Sequence, residues 1–157
     1  MRHARAALIE QGKCVELTGA TGLVASASSG RTLHSWAGVQ LGKDSKETLL
    51  ERVQNDKYAT QRWQRVDTLF IDEISFVDGH LFDSLEHIAS QLRRRRRFGS
   101  IQLVLCGDFL QLPPVRRASD PPCSFAFKSD AWKRCVDVVV QLRTVHRQHT
   151  DPNFVRC

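Results

Sequence analysis

Leu69-Phe-Ile-Asp-Glu-Ile-Ser75 is an apolar run that ends in two consecutive carboxylates. With Thr68 in front of it, Thr68 to Asp72 reads as a buried strand. Working outward, Ile101-Gln-Leu-Val-Leu-Cys106 is a second mostly apolar strand, and Cys14-Val-Glu-Leu-Thr18 alternates like a third. Val136-Asp-Val-Val-Val140 is expected to be the last. Between them lie helical patterns. Ala4 to Gln11 is stopped by Gly12, and Thr32 to Ala37 and Glu47 to Asn55 read as helices, the latter with Leu50 and Val53 on one face. Leu81, Phe82, Leu85, Ile88, Ala89 and Leu92 follow a helix period behind the N-cap Asp78. Leu23 to Ala27 is a short helical stretch, and Asp130 to Cys135 makes at least one helical turn. The stretch closing at Trp63 has no decisive pattern. Apolar strands alternating with helices predict an α/β fold with a mainly parallel sheet covered on both faces.

In such sheets ligands gather beyond the carboxyl ends of the strands. The polar residues expected there are Thr18, Asp72-Glu73 and Gly107-Asp108. An Asp at a strand end can hold magnesium, usually through water, and a neighbouring Glu can polarise a water that attacks a terminal phosphate. The plainer alternative is a capping Asp with a solvated Glu. Gly107-Asp-Phe-Leu-Gln-Leu-Pro-Pro-Val115 follows the adjacent strand to the same edge, where Gln111 can sense a terminal phosphate. Leu142-Arg-Thr-Val-His-Arg-Gln148 offers Arg147 as a positive charge for phosphates, against the ordinary reading of a surface arginine.

Bulk composition bounds these readings. The 157 residues are enough for one domain with a real core, and 41% hydrophobic and 25% charged residues are ordinary globular values. A net charge of +6 invites a nucleic-acid partner, but removing the five charges of Arg93 to Arg97 leaves only +1. That run reads as a solvated helix end or loop, with direct DNA contact as the alternative. Five cysteines, with no C-x-x-C pair and no zinc-finger spacing to histidine, indicate free thiols in a reduced compartment. No apolar run approaches a membrane span, no membrane partner is expected, and no signal peptide is visible.

Five stretches then carry a resemblance. They are Thr18-Gly-Ala-Thr-Gly-Leu-Val-Ala25, Gly30-Arg-Thr-Leu-His-Ser35, Phe70-Ile-Asp-Glu-Ile-Ser75, Cys106-Gly-Asp-Phe-Leu-Gln-Leu-Pro-Pro114 and Val145-His-Arg-Gln148. Their content and order resemble the petite integration frequency (Pif) family, RecD-like superfamily 1B helicases that move 5′ to 3′ along single-stranded DNA. The match runs from about Gly12 to Gln148, and Phe125-Ala-Phe and Ala131-Trp also resemble family stretches.

The resemblance implies a RecA-like P-loop NTPase motor domain over residues 1–141 and the start of a second motor domain over 142–157. It implies ATP and Mg2+ as cofactors, with Asp72 as the magnesium-linked acid and Glu73 as the catalytic base. Gln111 would touch the γ-phosphate and Arg147 would be the arginine finger. Thr21, Gly22, Thr32, His34 and Ser35 would contact DNA, their hydroxyls and backbone N–H groups suiting phosphates rather than bases. Single-stranded and forked DNA are the implied partners, in nucleus or mitochondrion, in repair, recombination and telomere maintenance. Two positions depart from the family: His146 stands where Phe or Tyr is usual, and Gly19 replaces the usual Ala.

P-loop motors hold phosphates with G-x-x-x-x-G-K-S/T, whose backbone N–H groups cradle oxygens. Gly38-Val-Gln-Leu-Gly42-Lys43-Asp44 has too few intervening residues and ends in an acid. Ala7-Leu-Ile-Glu-Gln-Gly12-Lys13-Cys14 lacks the first glycine and the hydroxyl, and joins a helix to a strand rather than the reverse. Neither qualifies. The resemblance therefore implies a partial motor domain lacking the P-loop strand, with that strand just upstream of Met1 and between the Gly107-Asp108 strand and Val136–Val140 in the sheet. Such a chain is expected to be inactive in hydrolysis by itself. The competing expectation is a short non-catalytic protein that binds single-stranded DNA or a helicase partner; a different P-loop ATPase, such as an RNA helicase, fits Gly-Asp-Phe-Leu-Gln-Leu-Pro-Pro poorly.

Overall fold

The predicted strands that pair do so because each is short, apolar and flanked by turn or cap residues. The computed structural model describes residues 1–20, 31–114 and 124–142. Its strands are β1 (Val15–Gly19), β2 (Arg31–Thr32), β3 (Thr68–Asp72) and β4 (Gln102–Leu105), all parallel, in the spatial order β2-β1-β3-β4. β3 lies inside the sheet and is buried along Thr68 to Ile71, as a strand covered on both faces must be. Leu69 and Ile71 join the main core, while Phe70, on the opposite face by alternation, is also fully buried.

The helices longer than four residues are α1 (Arg2–Glu10), α2 (Leu33–Ala37), α3 (Lys46–Asn55), α4 (Lys57–Arg65), α5 (Gly79–Arg93) and α6 (Asp130–Cys135). Each start from α2 onward has a side-chain cap that satisfies otherwise orphaned N–H groups. Ser45 accepts from Thr48 N at 3.2 Å, and Asp56 from Tyr58 N and Ala59 N at 2.9 and 3.0 Å. Asp78 accepts from Leu81 N at 2.8 Å and Ser129 from Trp132 N at 3.1 Å. The expected Asp78 cap is thus observed. α4 occupies the stretch without a decisive pattern, and α3 buries Leu49 and Val53 fully while Leu50 is half-buried.

The core lies between the sheet and α2 to α6. Trp36, Trp63, Phe98 and Phe82 form a chain of rings with centroids 4.6, 6.3 and 5.6 Å apart. Phe98 reaches it through an unusual path. After α5, Arg94, Arg97, Phe98, Gly99 and Ser100 all have positive φ. Each non-glycine residue in that region costs on the order of 1 kcal/mol, and full burial of one Phe returns about 1.5–3 kcal/mol. Gly99 permits the closest approach, since a Cβ there would stand 2.5 Å from the Ala89 carbonyl oxygen.

The arginine run divides its labour. Arg93 donates to the carbonyls of Trp63 (3.1 Å) and Val66 (2.5 Å), closing the end of α4. Arg97 donates to Arg134 O at 3.0 Å and pairs with Asp137, while Arg94 to Arg96 are exposed. Arg97 is exposed as well, so the expectation of a solvated helix end or loop holds for Arg94 to Arg97, and only Arg93 is half-buried.

Val136 to Val140 corrects another expectation. The stretch is not a strand, and Val138, Val139 and Val140 are 76%, 81% and 76% exposed. Among the described residues β4 has a hydrogen-bonded neighbour on one side only. Apolar alternation marks strand-forming potential, but a strand exists only where a neighbour takes up its N–H and C=O groups. The expected helix Leu23–Ala27 lies outside the described residues, as does all of the expected second motor domain except Leu142.

Candidate nucleotide edge and nucleic-acid interface

β3 delivers the two carboxylates. Its register pairs Gly19 with Asp72 and Ile71 with Leu105, so Asp72 sits where the strand leaves the sheet. Ala20 N donates to Asp72 O at 3.1 Å and Ile74 N to Cys106 O at 2.9 Å, tying three strand exits together. Asp72 Oδ1 accepts from Glu73 N at 3.0 Å, which leaves Oδ2 without a protein donor among the described residues. Glu73 has φ +56, a left-handed conformation that turns the chain sharply off the strand. No described residue donates a hydrogen bond to its half-buried carboxylate. The plain reading of a capping Asp with a solvated Glu is not met: the turn Ile74–Phe76 has no side-chain cap, the next helix is capped by Asp78, and Glu73 is half-buried.

β4 brings the second stretch to the same edge. A Cβ on Gly107 would lie 2.9 Å from Ile74 N, so only glycine allows this approach without a shift. Asp108 then folds the turn on itself, accepting from Leu110 N at 2.9 Å and from Gln111 Nε2 at 3.2 Å. Gln111 is exposed and oriented by that bond. Phe109 anchors the turn in a ring cluster, with centroids 5.6 Å from Phe125, 4.9 Å from Phe127 and 6.0 Å from Trp132. Burial, reinforced by the charge of Asp72, pushes the Cys106 thiol up.

The donor set fits magnesium carried with a nucleotide. Mg2+ keeps several waters and takes one or two carboxylates plus phosphates, which matches Asp72 with a free oxygen beside Glu73. No group of three or more His, Cys, Asp or Glu among the described residues could hold a metal by itself. The cradle of backbone N–H groups that would hold the phosphates has no matching motif in this sequence.

Thr32, His34 and Ser35 lie across the sheet from these acids. Gly19 pairs with Thr32 on one side and Asp72 on the other, so the three residues form one rung. Two strand spacings put Thr32 and Asp72 about 10 Å apart. Thr32 Oγ1 caps α2, accepting from Ser35 N at 3.2 Å, which leaves its hydroxyl proton to donate. Ser35 is exposed. His34 is half-buried; burial lowers its pKa, partly countered by the charge of Asp78.

The placing of α2 rests on residues with no motif signal. Its last carbonyls would be orphans at a helix end. Arg62 donates to Trp36 O at 2.8 Å and Ser35 O at 3.4 Å, and Trp63 Nε1 to Ala37 O at 3.0 Å. Asp56 as a helix-starting cap was the available clue that α4 exists to supply them. Thr21, Gly22, His146 and Arg147 lie outside the described residues.

Residues 1–154 match the model of the PIF1-like helicase family. The chain belongs to that family. It is 45% identical over 152 residues to a Candida albicans protein named ATP-dependent DNA helicase PIF1, covering 91% of this chain and 17% of the relative. A crystal structure of Pif1 helicase from Candida albicans superposes with a TM-score of 0.88 at 44% identity, covering 97% of this chain and 34% of that one. A Pif1 helicase from Bacteroides, solved in complex with ADP-AlF3 and single-stranded DNA, gives 0.76 at 28% identity, covering 91% and 35%. The expected α/β class and RecA-like parallel sheet are those of these PIF1-like structures. The chain spans about a sixth of the curated relative's length and a third of each solved chain. Among the described residues no helix is long and apolar enough to cross a membrane.

Proposed function

We propose that the chain supplies the carboxylate edge and one nucleic-acid surface of an ATP-dependent DNA helicase motor. The observation that supports this best is the rung Thr32–Gly19–Asp72, which sets the two groups of residues at one sheet edge. In this reading Asp72 would hold the Mg2+ that accompanies the nucleotide. Glu73, with no protein donor of its own among the described residues, accepts a proton from the attacking water. Gln111, steered by Asp108, meets the γ-phosphate, and Arg147 supplies the finger. Bound Mg2+ would supply charge neutralisation at the phosphates. Thr32, His34 and Ser35, with Thr21 and Gly22, position the phosphates of single-stranded or forked DNA. Movement 5′ to 3′ and service in repair, recombination and telomere maintenance, in nucleus or mitochondrion, belong to the same reading through the family resemblance.

Because the sequence contains no G-x-x-x-x-G-K-S/T, the 157-residue polypeptide by itself should not turn over ATP. DNA-stimulated turnover that Glu73→Gln abolishes would overturn that statement. The roles themselves are tested in a chimaera in which residues 1–154 replace the matching segment of the Candida albicans relative. There Glu73→Gln should lower ATP turnover by roughly 10²-fold or more while DNA binding survives. Retained turnover would remove Glu73 from the chemistry. The alternative of a non-catalytic DNA-binding protein is favoured if the chimaera binds DNA but hydrolyses nothing even with Glu73 intact.

A further inference from the structure

On the outer flank of the sheet, between β2 and α4, lies an open pocket of about 260 Å³ lined by Glu16, Arg31, Tyr58, Gln61, Arg62 and Arg65. Three guanidinium groups thus face one carboxylate. Arg62 is fixed by its bonds to Trp36 O and Ser35 O. Burial, with the like charge of Arg31, holds its guanidinium below the ordinary range. Arg31 and Arg65 are exposed and have no hydrogen-bond or ion-pair partner among the described residues. Three guanidinium groups against the single carboxylate of Glu16 leave an excess of positive charge that favours an anion between them. Asp56, which raises the Arg62 pKa from nearby, is already occupied with capping α4.

The character of the lining narrows the anion. Tyr58 is 74% exposed in the first turn of α4, and no aromatic ring of the described residues packs on it. Gln61 stands one turn further on. Arginines beside a free aromatic face and an amide suit a nucleotide better than a bare ion or an acidic side chain. The position narrows it again. Arg31 immediately precedes Thr32, and Arg62 grips the carbonyl of Ser35, so the pocket is continuous with α2.

We propose that this pocket binds a phosphodiester of single-stranded nucleic acid, with the adjoining base stacked on Tyr58. It is a contact additional to Thr32, His34 and Ser35, and it rests on the nucleic-acid reading given above. Arg31 and Arg65 take the phosphate, Arg62 is the fixed wall, and Glu16 limits how strongly the site holds its ligand.

The test is fluorescence anisotropy of a labelled oligothymidylate with the full 157-residue chain across a salt series. The Arg31→Ala, Arg65→Ala double variant should bind roughly tenfold more weakly at low salt. Its log–log salt slope should be shallower by about 0.7, the value for one single-strand phosphate contact. Tyr58→Ala should weaken binding roughly fivefold or more. Glu16→Gln should tighten it. These exposed side chains leave the fold in place, which a circular dichroism melt verifies for each variant. Wild-type binding with an unchanged slope in the double variant overturns the pocket and leaves the Thr32–Ser35 surface standing. Tyr58→Ala binding as tightly as wild type overturns the stacking. A wild-type chain that fails to bind the oligonucleotide at any salt overturns both the pocket and the reading beneath it.

Discussion

The two flanks of the sheet are built differently. On the β2–β1 side every carbonyl in the last turn of α2 has a donor: Gly38 N and Val39 N for His34, Arg62 for Ser35 and Trp36, Trp63 for Ala37. On the β4 side the chain leaves the sheet into an exposed turn, with Leu110 97% and Leu112 69% open to solvent. One flank is positioned by the packed core. The other is positioned locally, by the Asp108 carboxylate and the Phe109 ring. Under the proposed function, a surface holding a charged backbone in register gains from the first design, and a turn meeting a phosphate can manage with the second.

The sharpest way to break the contrast is Trp63→Ala. It removes a fully buried ring and the donor to Ala37 O, and should cost ~3–5 kcal/mol by urea unfolding. A loss under ~1 kcal/mol would mean that α2 is not held by α4. Gly107→Ala comes next, at about 1–3 kcal/mol, because the new Cβ must push against Ile74 N. If stability is unchanged, the two strand exits are looser than drawn here.

His34 gives a smaller, pH-dependent effect. Its folded pKa lies below the ordinary 6.5, so the unfolded chain binds the proton more tightly. The contribution is complete above pH 6.5 and is lost as pH falls through the lowered folded value. Thermal melts of His34→Gln should therefore lose less on acidification than those of the parent. A parallel decline in both would place the titration elsewhere. Least affected should be Val139→Lys, within ~0.5 kcal/mol of the parent. A larger loss would show that the open flank packs more than its exposure suggests.

Much of this was legible in the sequence, for identifiable reasons. Thr68–Asp72 could be read because a buried strand needs a continuous apolar run, and α5 because its apolar period is long and Asp78 caps it. The acids and Gln111 could be placed at a strand edge by the same patterns, whereas Thr32–Ser35 read as part of a helix and gained its expected DNA side from the family resemblance alone. α4 was missed because Tyr58, Gln61, Arg62 and Arg65 leave a mostly polar surface, with Ala59 and Trp63 alone buried to mark the inner face. Val136–Val140 misled because β-branched composition is a property of the segment, whereas pairing depends on what lies beside it. The bend that buries Phe98 had no sequence signal beyond Gly99, since positive φ at Arg94 and Arg97 is imposed by tertiary packing.

The rung Thr32–Gly19–Asp72 has a mechanical consequence. Its middle member carries no side chain, so nothing between the two half-sites can swing aside by changing rotamer. Displacement at either end is transmitted through a backbone lattice of fixed spacing, as along a stiff ruler with one mark between its ends. For the two chemistries proposed at its ends, that leaves little slack.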